Sequence, residues 1–314
     1  MDGPPLSVLL WKMEKMYARY KRVRLWMTVV ALFVVAGTAG FGWWRSRADV
    51  MTPLSGPIPS VAQRTKGHST TLPGWTLVWE DDFTNPHVTA RLWNFMNWRY
   101  PYNGQLESYS SSNLQDQGGM LHIAVKPNLL GIRPYTSGMI TTWGKFSLKY
   151  GLVVVRARLP AGQGLFPAIW MVPATSIPTM AQSDIFPEID IMENVGRLPN
   201  KVFMTLHYQA ADHSIVNVGA PFTGPNFTQG FHTFALKWTP TSLVWMVDGV
   251  PRETLTTDIP IVREYLIINV AVGGQFPGNP TSSDHWPQQM LVKYVRIYKQ
   301  TASSAPTGEQ RRTH

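Results

Sequence analysis

The sequence predicts an all-β body, a β-sandwich of jelly-roll type, preceded by one N-terminal transmembrane helix. Three observations predict it. The apolar stretches are short, rich in β-branched and aromatic residues, and separated by turn residues, with 25 Gly and 25 Pro among 314 residues to supply the turns. Asp248-Gly249, lying between Val247 and Val250, is a strong hairpin signal. No long amphipathic helix and no internal repeat breaks the pattern, which is that of two packed antiparallel sheets.

Taken in order, residues 1–24 form a basic cytoplasmic N-terminus ending in Lys12, Lys15, Arg19, Lys21, Arg22 and Arg24. Residues 25–44 follow, 20 residues without a charge. At ~1.5 Å per residue such a helix spans a ~30 Å hydrocarbon layer. Trp26 at one end and Trp43-Trp44 at the other are placed as interfacial anchors. The basic run precedes the span and only Arg45 and Arg47 follow it closely, so the N-terminus stays in the cytoplasm and the body lies outside. A cleaved signal peptide is the alternative, with Gly37-Thr38-Ala39 as the cleavage site; the long leader and long span favour the anchor. Both readings export the body. Residues 45–72 carry Pro53, Gly56, Pro57 and Pro59 and form a flexible linker. Within the body, 73–298, strands are expected at 76–80, 121–126, 152–159, 202–207, 233–238, 243–247, 265–270 and 291–298. Residues 299–314 form a disordered tail.

The net charge of +9 belongs to the flanks. Residues 1–72 hold ten basic residues and three acids, 73–298 hold 15 of each, and the tail adds three basic residues and one acid. A nucleic-acid footprint needs a basic stripe on the folded body, and the neutral body offers none. With no cysteine, disulfides and thiolate metal sites are excluded and the redox compartment stays open. Thirteen Trp suit a carbohydrate-facing cleft, or simply fill the core.

The chain is organised around Pro187-Glu188-Ile189-Asp190-Ile191-Met192-Glu193-Asn194. A strand alternates faces with period two, so Glu188 and Asp190 share a face and Ile189 and Ile191 share the other. Strict alternation would put Glu193 into the apolar layer, where a carboxylate is costly. A β-bulge near Ile191-Met192 returns it to the acidic face. Three carboxyls in a row repel one another, so one or more should hold a proton near neutral pH. An acid and a base working together are what cleavage of a glycosidic bond requires. A solvated acidic strand is the plain alternative.

The run Glu188-Ile189-Asp190-Ile191-Met192-Glu193 resembles the signature of glycoside hydrolase family 16, in its laminarinase-like (β-1,3- and β-1,3-1,4-glucanase) branch. Other blocks follow in family order. Leu77-Val78-Trp79-Glu80-Asp81-Asp82-Phe83 is similar to the opening strand, and Tyr135-Thr136-Ser137-Gly138-Met139-Ile140 to the next block. Gly164-Leu165-Phe166-Pro167-Ala168-Ile169-Trp170-Met171 resembles the approach to the acidic strand. Thr205-Leu206-His207-Tyr208, Gly230-Phe231-His232-Thr233-Phe234, Trp238-Thr239-Pro240, Val247-Asp248-Gly249, Asn269-Val270-Ala271-Val272-Gly273-Gly274 and Tyr294-Val295-Arg296-Ile297-Tyr298 complete the set, about 75–298. The resemblance implies a jelly roll of two curved antiparallel sheets with a glycan cleft on its concave face. It implies Glu188 as nucleophile, Glu193 as general acid/base and Asp190 as the acid that tunes them. Retaining hydrolysis by two such carboxyls is consistent with that assignment.

The resemblance also marks secondary sites. His207 falls where a histidine bonds an acid or a sugar hydroxyl, or serves as a structural residue. Trp170 corresponds to a sugar-stacking tryptophan, with core packing as the rival. Trp98, Tyr100, Tyr102, Asn103, Gln105 and Glu107 lie in a stretch similar to a cleft-edge loop, and Gln275 near a far subsite. Three positions depart from the pattern. Met139 stands where relatives commonly have Arg, and Gly274-Gln275-Phe276 where they often have Gly-Asn-Trp. Lys293 replaces an acid of the family's structural calcium site, and Asp82 stands where Glu is usual. A lysine beside Ca²⁺ is unfavourable, so no cofactor or metal is expected. The function expected is a membrane-anchored, extracytoplasmic, retaining endo-β-glucan hydrolase. Its partners are a β-glucan polysaccharide and the membrane, without nucleic acid and as a monomer. The alternatives are a transglycosylase of a cell-surface polysaccharide and a non-catalytic glucan-binding protein.

Overall fold

The computed structural model describes residues 72–99, 103–128, 131–178 and 186–301. The expected span at 25–44, nearly all of the 45–72 linker and the tail beyond 301 lie outside those residues. Among the described residues no helix is long and apolar enough to cross a membrane. The chain divides into Met1–Leu54 and Ser55–His314, and every described residue belongs to the second unit.

Numbered in chain order, the strands begin with β1 Trp75–Asp81, β2 Asn94–Phe95, β3 Glu107–Tyr109, β4 Leu114–Asp116, β5 Leu121–Pro127 and β6 Tyr135–Ser137. Then come β7 Met139–Thr141, β8 Gly151–Arg158, β9 Leu165–Pro173, β10 Glu188–Asn194, β11 Lys201–Gln209 and β12 Ile215–Thr223. The last are β13 His232–Trp238, β14 Leu243–Val247, β15 Val250–Leu255, β16 Glu264–Val272 and β17 Gln288–Gln300. Each of the eight expected stretches falls in one of these, with only Leu159 outside. A short helix, α1 Pro86–Leu92, starts where the Asn85 side chain accepts from the His87 and Val88 N–H groups and Pro86 needs no partner. Asp248 and Gly249 turn the β14–β15 hairpin at φ 52° and 78°, the positive pair a two-residue hairpin asks for.

The strands form two sheets. A ten-stranded sheet runs β15-β14-β13-β8-β17-β5-β6-β3, with β1 on β17 and β4 on β5. A seven-stranded sheet runs β12-β11-β10-β9-β16-β7-β2. The pairs are antiparallel except β3 with β6. This is the all-β sandwich the turn-rich sequence predicts. The core lies between the sheets, where Ile189, Ile191 and Met192 of β10 join Leu266, Ile268 and Val270 of β16 and Trp245 of β14. On its other face β16 buries Tyr265 and Ile267 with Tyr109, Met139 and Val172. Burial on both faces explains why β16 reads as an apolar run after Glu264 that only Asn269 interrupts.

The expected bulge is present. Against β11, the register of β10 slips between Asp190 and Glu193, and against β9 it slips between Asp190 and Met192. At the slip, Trp245 reaches across from the other sheet and its indole N–H donates to the Asp190 carbonyl at 2.8 Å. A bulge interrupts the ladder, and a buried carbonyl there needs another donor. Asn194 closes the strand, its amide donating to Leu198 O at 3.0 Å and Lys201 O at 2.7 Å, which fixes the turn into β11.

Candidate active site

The bulge decides where the acids point. Glu188, Asp190 and Glu193 stand opposite His207, Thr205 and Phe203 of β11. Those three partners alternate along their own strand and so share one face. All six side chains line one cleft of about 480 Å³. The isoleucines and Met192 between the acids are buried in the core behind.

Hydrogen bonds order the acids. His207 Nε2 lies 2.7 Å from Asp190 Oδ2, and its Nδ1 lies 2.6 Å from Asn217 Oδ1 of β12. An amide oxygen can only accept, so Nδ1 carries hydrogen. Nε2 then faces the Asp190 carboxyl. Polar atoms of Glu188, Asp190 and His207 all lie within 4.8 Å of one another. Burial at the cleft floor pushes Asp190 up to about 7. Burial, and then the charge of Asp190, holds both Glu188 and Glu193 well above the usual carboxylate range, an effect the cation of a protonated His207 opposes. One group of acids therefore keeps protons at neutral pH while remaining open to the cleft.

Beside them Trp170 is fixed by its own polar end. Its indole N–H donates to Asn269 Oδ1 at 2.8 Å, and the Asn269 amide donates to the Tyr109 hydroxyl at 2.9 Å. Tyr109 in turn stacks on Trp98, centroids 6.1 Å apart at 18°. Trp170 packs against the buried Met139, Val172, Tyr265 and Ile267 while still lining the cleft, so the two rival roles coexist. No lysine or arginine is among the described residues that line this cleft.

The chain matches the family described as Glycosyl hydrolases family 16 over residues 103–296. It is 34% identical over 250 residues to the Beta-glucanase of Rhodothermus marinus, covering 72% of this chain and 86% of that one. It is 33% identical to the Glucan endo-1,3-beta-glucosidase of Cryptopygus antarcticus, covering 71% and 91%. The laminarinase catalytic domain from Thermotoga maritima MSB8 has the same fold, with a TM-score of 0.65 and 32% identity over 72% of this chain and 99% of that one.

The chain belongs to glycosyl hydrolases family 16.

As a family 16 enzyme it is a glycosidase acting on O-glycosyl compounds. The structure gathers eight of the expected site residues around the cleft of this family 16 domain: Glu188, Asp190 and Glu193 with Trp170, His207, Trp98, Asn103 and Gln105. Tyr102, like Tyr100, lies outside the described residues. Two expectations need correction. Gln275 is exposed on its loop, and its neighbour Phe276 is the residue that reaches the cleft. Glu107 is fully buried and is not among the residues that line the cleft. Its Oε2 accepts from the Val272 N–H at 2.8 Å, so it secures the end of β16. Sequence reasoning gave no site role to Phe166, Phe203, Asn217 and Asn269, which line the cleft. Asn269 carried a signal: an amide inside the apolar run of β16 must find partners when buried.

Glu107 yields a stability prediction for the family 16 domain. Burial raises its carboxyl from 4.5 to about 7. The folded state then holds a proton that the unfolded chain has released, so stability is lost as pH rises from 4.5 to 7. Glu107→Gln should remove a penalty of roughly 3 kcal/mol above that window and none below it. Thermal unfolding at pH 4 and pH 8 checks this; an equal effect at both would contradict it.

Proposed function

We propose that the protein is a retaining endo-β-glucan hydrolase that cuts β-1,3- or mixed-linkage glucan outside the cytoplasm. One observation carries the reading: the bulged strand β10 aims Glu188 and Glu193, with Asp190 between them, into an open cleft beside Trp170. Glu188 attacks the anomeric carbon as Glu193 gives its proton to the departing glycosidic oxygen. Water then gives a proton to Glu193 and its oxygen to the sugar, freeing Glu188. For attack Glu188 must be ionised. Asp190 stands beside it on the same face of β10, held by His207 Nε2 at 2.7 Å. Trp170 supplies a flat apolar surface for a pyranose ring. A cleft with three carboxyls and no lysine or arginine among its described lining residues disfavours sulfated and uronic glycans, which supports a neutral glucan. Retention of all three acids speaks against a purely binding role. The basic run before residues 25–44 supports export of the body.

Reducing-sugar release by the full-length chain from laminarin, lichenan, xyloglucan, agarose and carrageenan tests this. Laminarin or lichenan should be cut, and the sulfated carrageenan should not. The first product seen by proton NMR should be the β-anomer. Turnover of carrageenan alone, or an initial α-anomer, would overturn the reading.

The residues do not suit the calcium that the family resemblance implies. Lys293 Nζ donates to Gly119 O at 3.2 Å, placing a positive charge on that carbonyl. Asp82 Oδ1 is engaged by the Thr84 N–H at 3.2 Å and the Thr84 hydroxyl at 2.6 Å. A divalent cation would face the ammonium and find few oxygen ligands. We propose that the domain folds without it. A chelator should leave the unfolding temperature unchanged to within about 1 °C, since no ligand linkage contributes. A drop of several degrees, reversed by Ca²⁺, would refute this.

A further inference from the structure

The titratable side chains among the described residues that line the cleft are Glu188, Asp190, Glu193, His207 and Tyr109. Behind them Glu264 of β16 is a fully buried acid that feels the charges of Glu188 and Asp190. Of these groups His207 alone can bring positive charge. Glu188 is the cross-strand partner of His207, so the net charge of His207 and Asp190 falls directly beside Glu188. What sets that charge stands on the other side of His207.

Asn217 is the cross-strand partner of His207 on β12, the edge strand of the seven-stranded sheet. It interrupts Ile215-Val216 and Val218, in a strand where asparagine is a poor choice beside β-branched residues. Its Oδ1 lies 2.6 Å from His207 Nδ1 and holds the hydrogen of the neutral ring there. Nε2 then has no hydrogen of its own, yet it stands 2.7 Å from Asp190 Oδ2. Two lone pairs at that distance repel, so the contact is attractive only with one proton in it. Whether that proton sits on the carboxyl or on the ring, Asp190 and His207 together carry no net charge. In the other neutral tautomer Nε2 holds the hydrogen and donates it to an ionised Asp190. The pair then carries one negative charge beside Glu188 and opposes its ionisation. Burial, which raises Asp190 to about 7, works in the same direction as Asn217, toward a pair that keeps its proton.

We propose that Asn217 is a positioning residue of the reaction: by holding the His207 hydrogen on Nδ1 it keeps the Asp190–His207 pair uncharged and leaves Glu188 free to ionise. The inference rests on the reading of Glu188 as nucleophile. Asn217 acts through His207, so its loss should show in the charge state of the site and in the pH at which the enzyme works.

The test uses the full-length chain and its Asn217→Leu and Asn217→Asp variants. Leucine suits an edge strand and removes the acceptor, whereas aspartate keeps an oxygen acceptor in the same place. Nitrogen NMR of histidine-labelled protein at pH 7 reads the tautomer, with the His207 signal assigned by its loss in His207→Gln. In the wild type and in Asn217→Asp the hydrogen should be on Nδ1; in Asn217→Leu it should move to Nε2. The acid limb of kcat/KM on laminarin, where the Glu188–Asp190 pair takes up its proton, should rise by about one pH unit in Asn217→Leu. In Asn217→Asp it should lie below that of Asn217→Leu. A wild-type Nδ1 without hydrogen overturns the proposal, and so does an acid limb that Asn217→Leu leaves in place. If the wild type cuts neither laminarin nor lichenan, the glucanase reading fails and the role of Asn217 with it; if it cuts and the limb holds, the role of Asn217 alone falls.

Discussion

Glu188→Gln is expected to lower kcat/KM on laminarin or lichenan on the order of 10⁵-fold while the chain stays folded. Glutamine keeps the size and polarity of the side chain and removes the nucleophilic oxygen. The variant should also be more stable than the wild type at pH 8. Burial and the Asp190 charge hold the Glu188 carboxyl well above its ordinary range. Above that ordinary range the folded state resists an ionisation that the unfolded chain makes freely, so the native glutamate costs stability there and the amide does not. Loss of activity with a gain in unfolding temperature is what a strained catalytic acid implies. Full activity in Glu188→Gln would end the mechanism; a large fall in unfolding temperature would mean that the residue is structural.

Glu193→Gln should cost about 10²- to 10⁴-fold on glucan, the range for a lost general acid/base. The deficit should depend on the leaving group. A glycosyl fluoride needs no proton to depart, so formation of the Glu188 ester should survive, and azide, which needs no base, should then capture it as the β-glycosyl azide. The pH profile gives a second measure. The wild type should lose kcat/KM on the alkaline side as Glu193, held well above the usual carboxylate range, gives up its proton. It should lose it on the acid side as the Glu188–Asp190 pair takes one up, with Asp190 raised to about 7. In Glu193→Gln the alkaline limb should vanish and the acid limb remain. A variant whose deficit is the same for fluoride and for glucan, with no azide product, would remove Glu193 from the role.

The bulge was legible because one residue forced it. Alternation alone sends Glu193 into the core, and the energetic cost of a carboxylate there leaves an extra residue near Met192 as the simplest escape. His207 was legible from its block, yet its bond to Asp190 follows from the β10–β11 register, which the sequence does not print. Glu107 misled because its neighbours Asn103 and Gln105 do reach the cleft. Its carboxyl turns to the Val272 N–H, 165 positions away in the chain. Phe276 stood out only as a departure from the family pattern, while Phe166 and Phe203 look like ordinary apolar residues until the three rings meet.

Local physics in the sequence was enough to determine the strand pattern, the hairpin at Asp248-Gly249 and the common face of Glu188, Asp190 and Glu193. Period-two alternation, turn chemistry and the cost of burying charge all act over a few residues. Only the tertiary structure decided what stands around those acids. It brought Asn217 behind His207, Trp245 to the bulge, Asn269 to Trp170 and Phe276 to the Glu193 end. Those meetings depend on which strands lie side by side and in what register, and pairings across a long chain leave no local trace in composition or period.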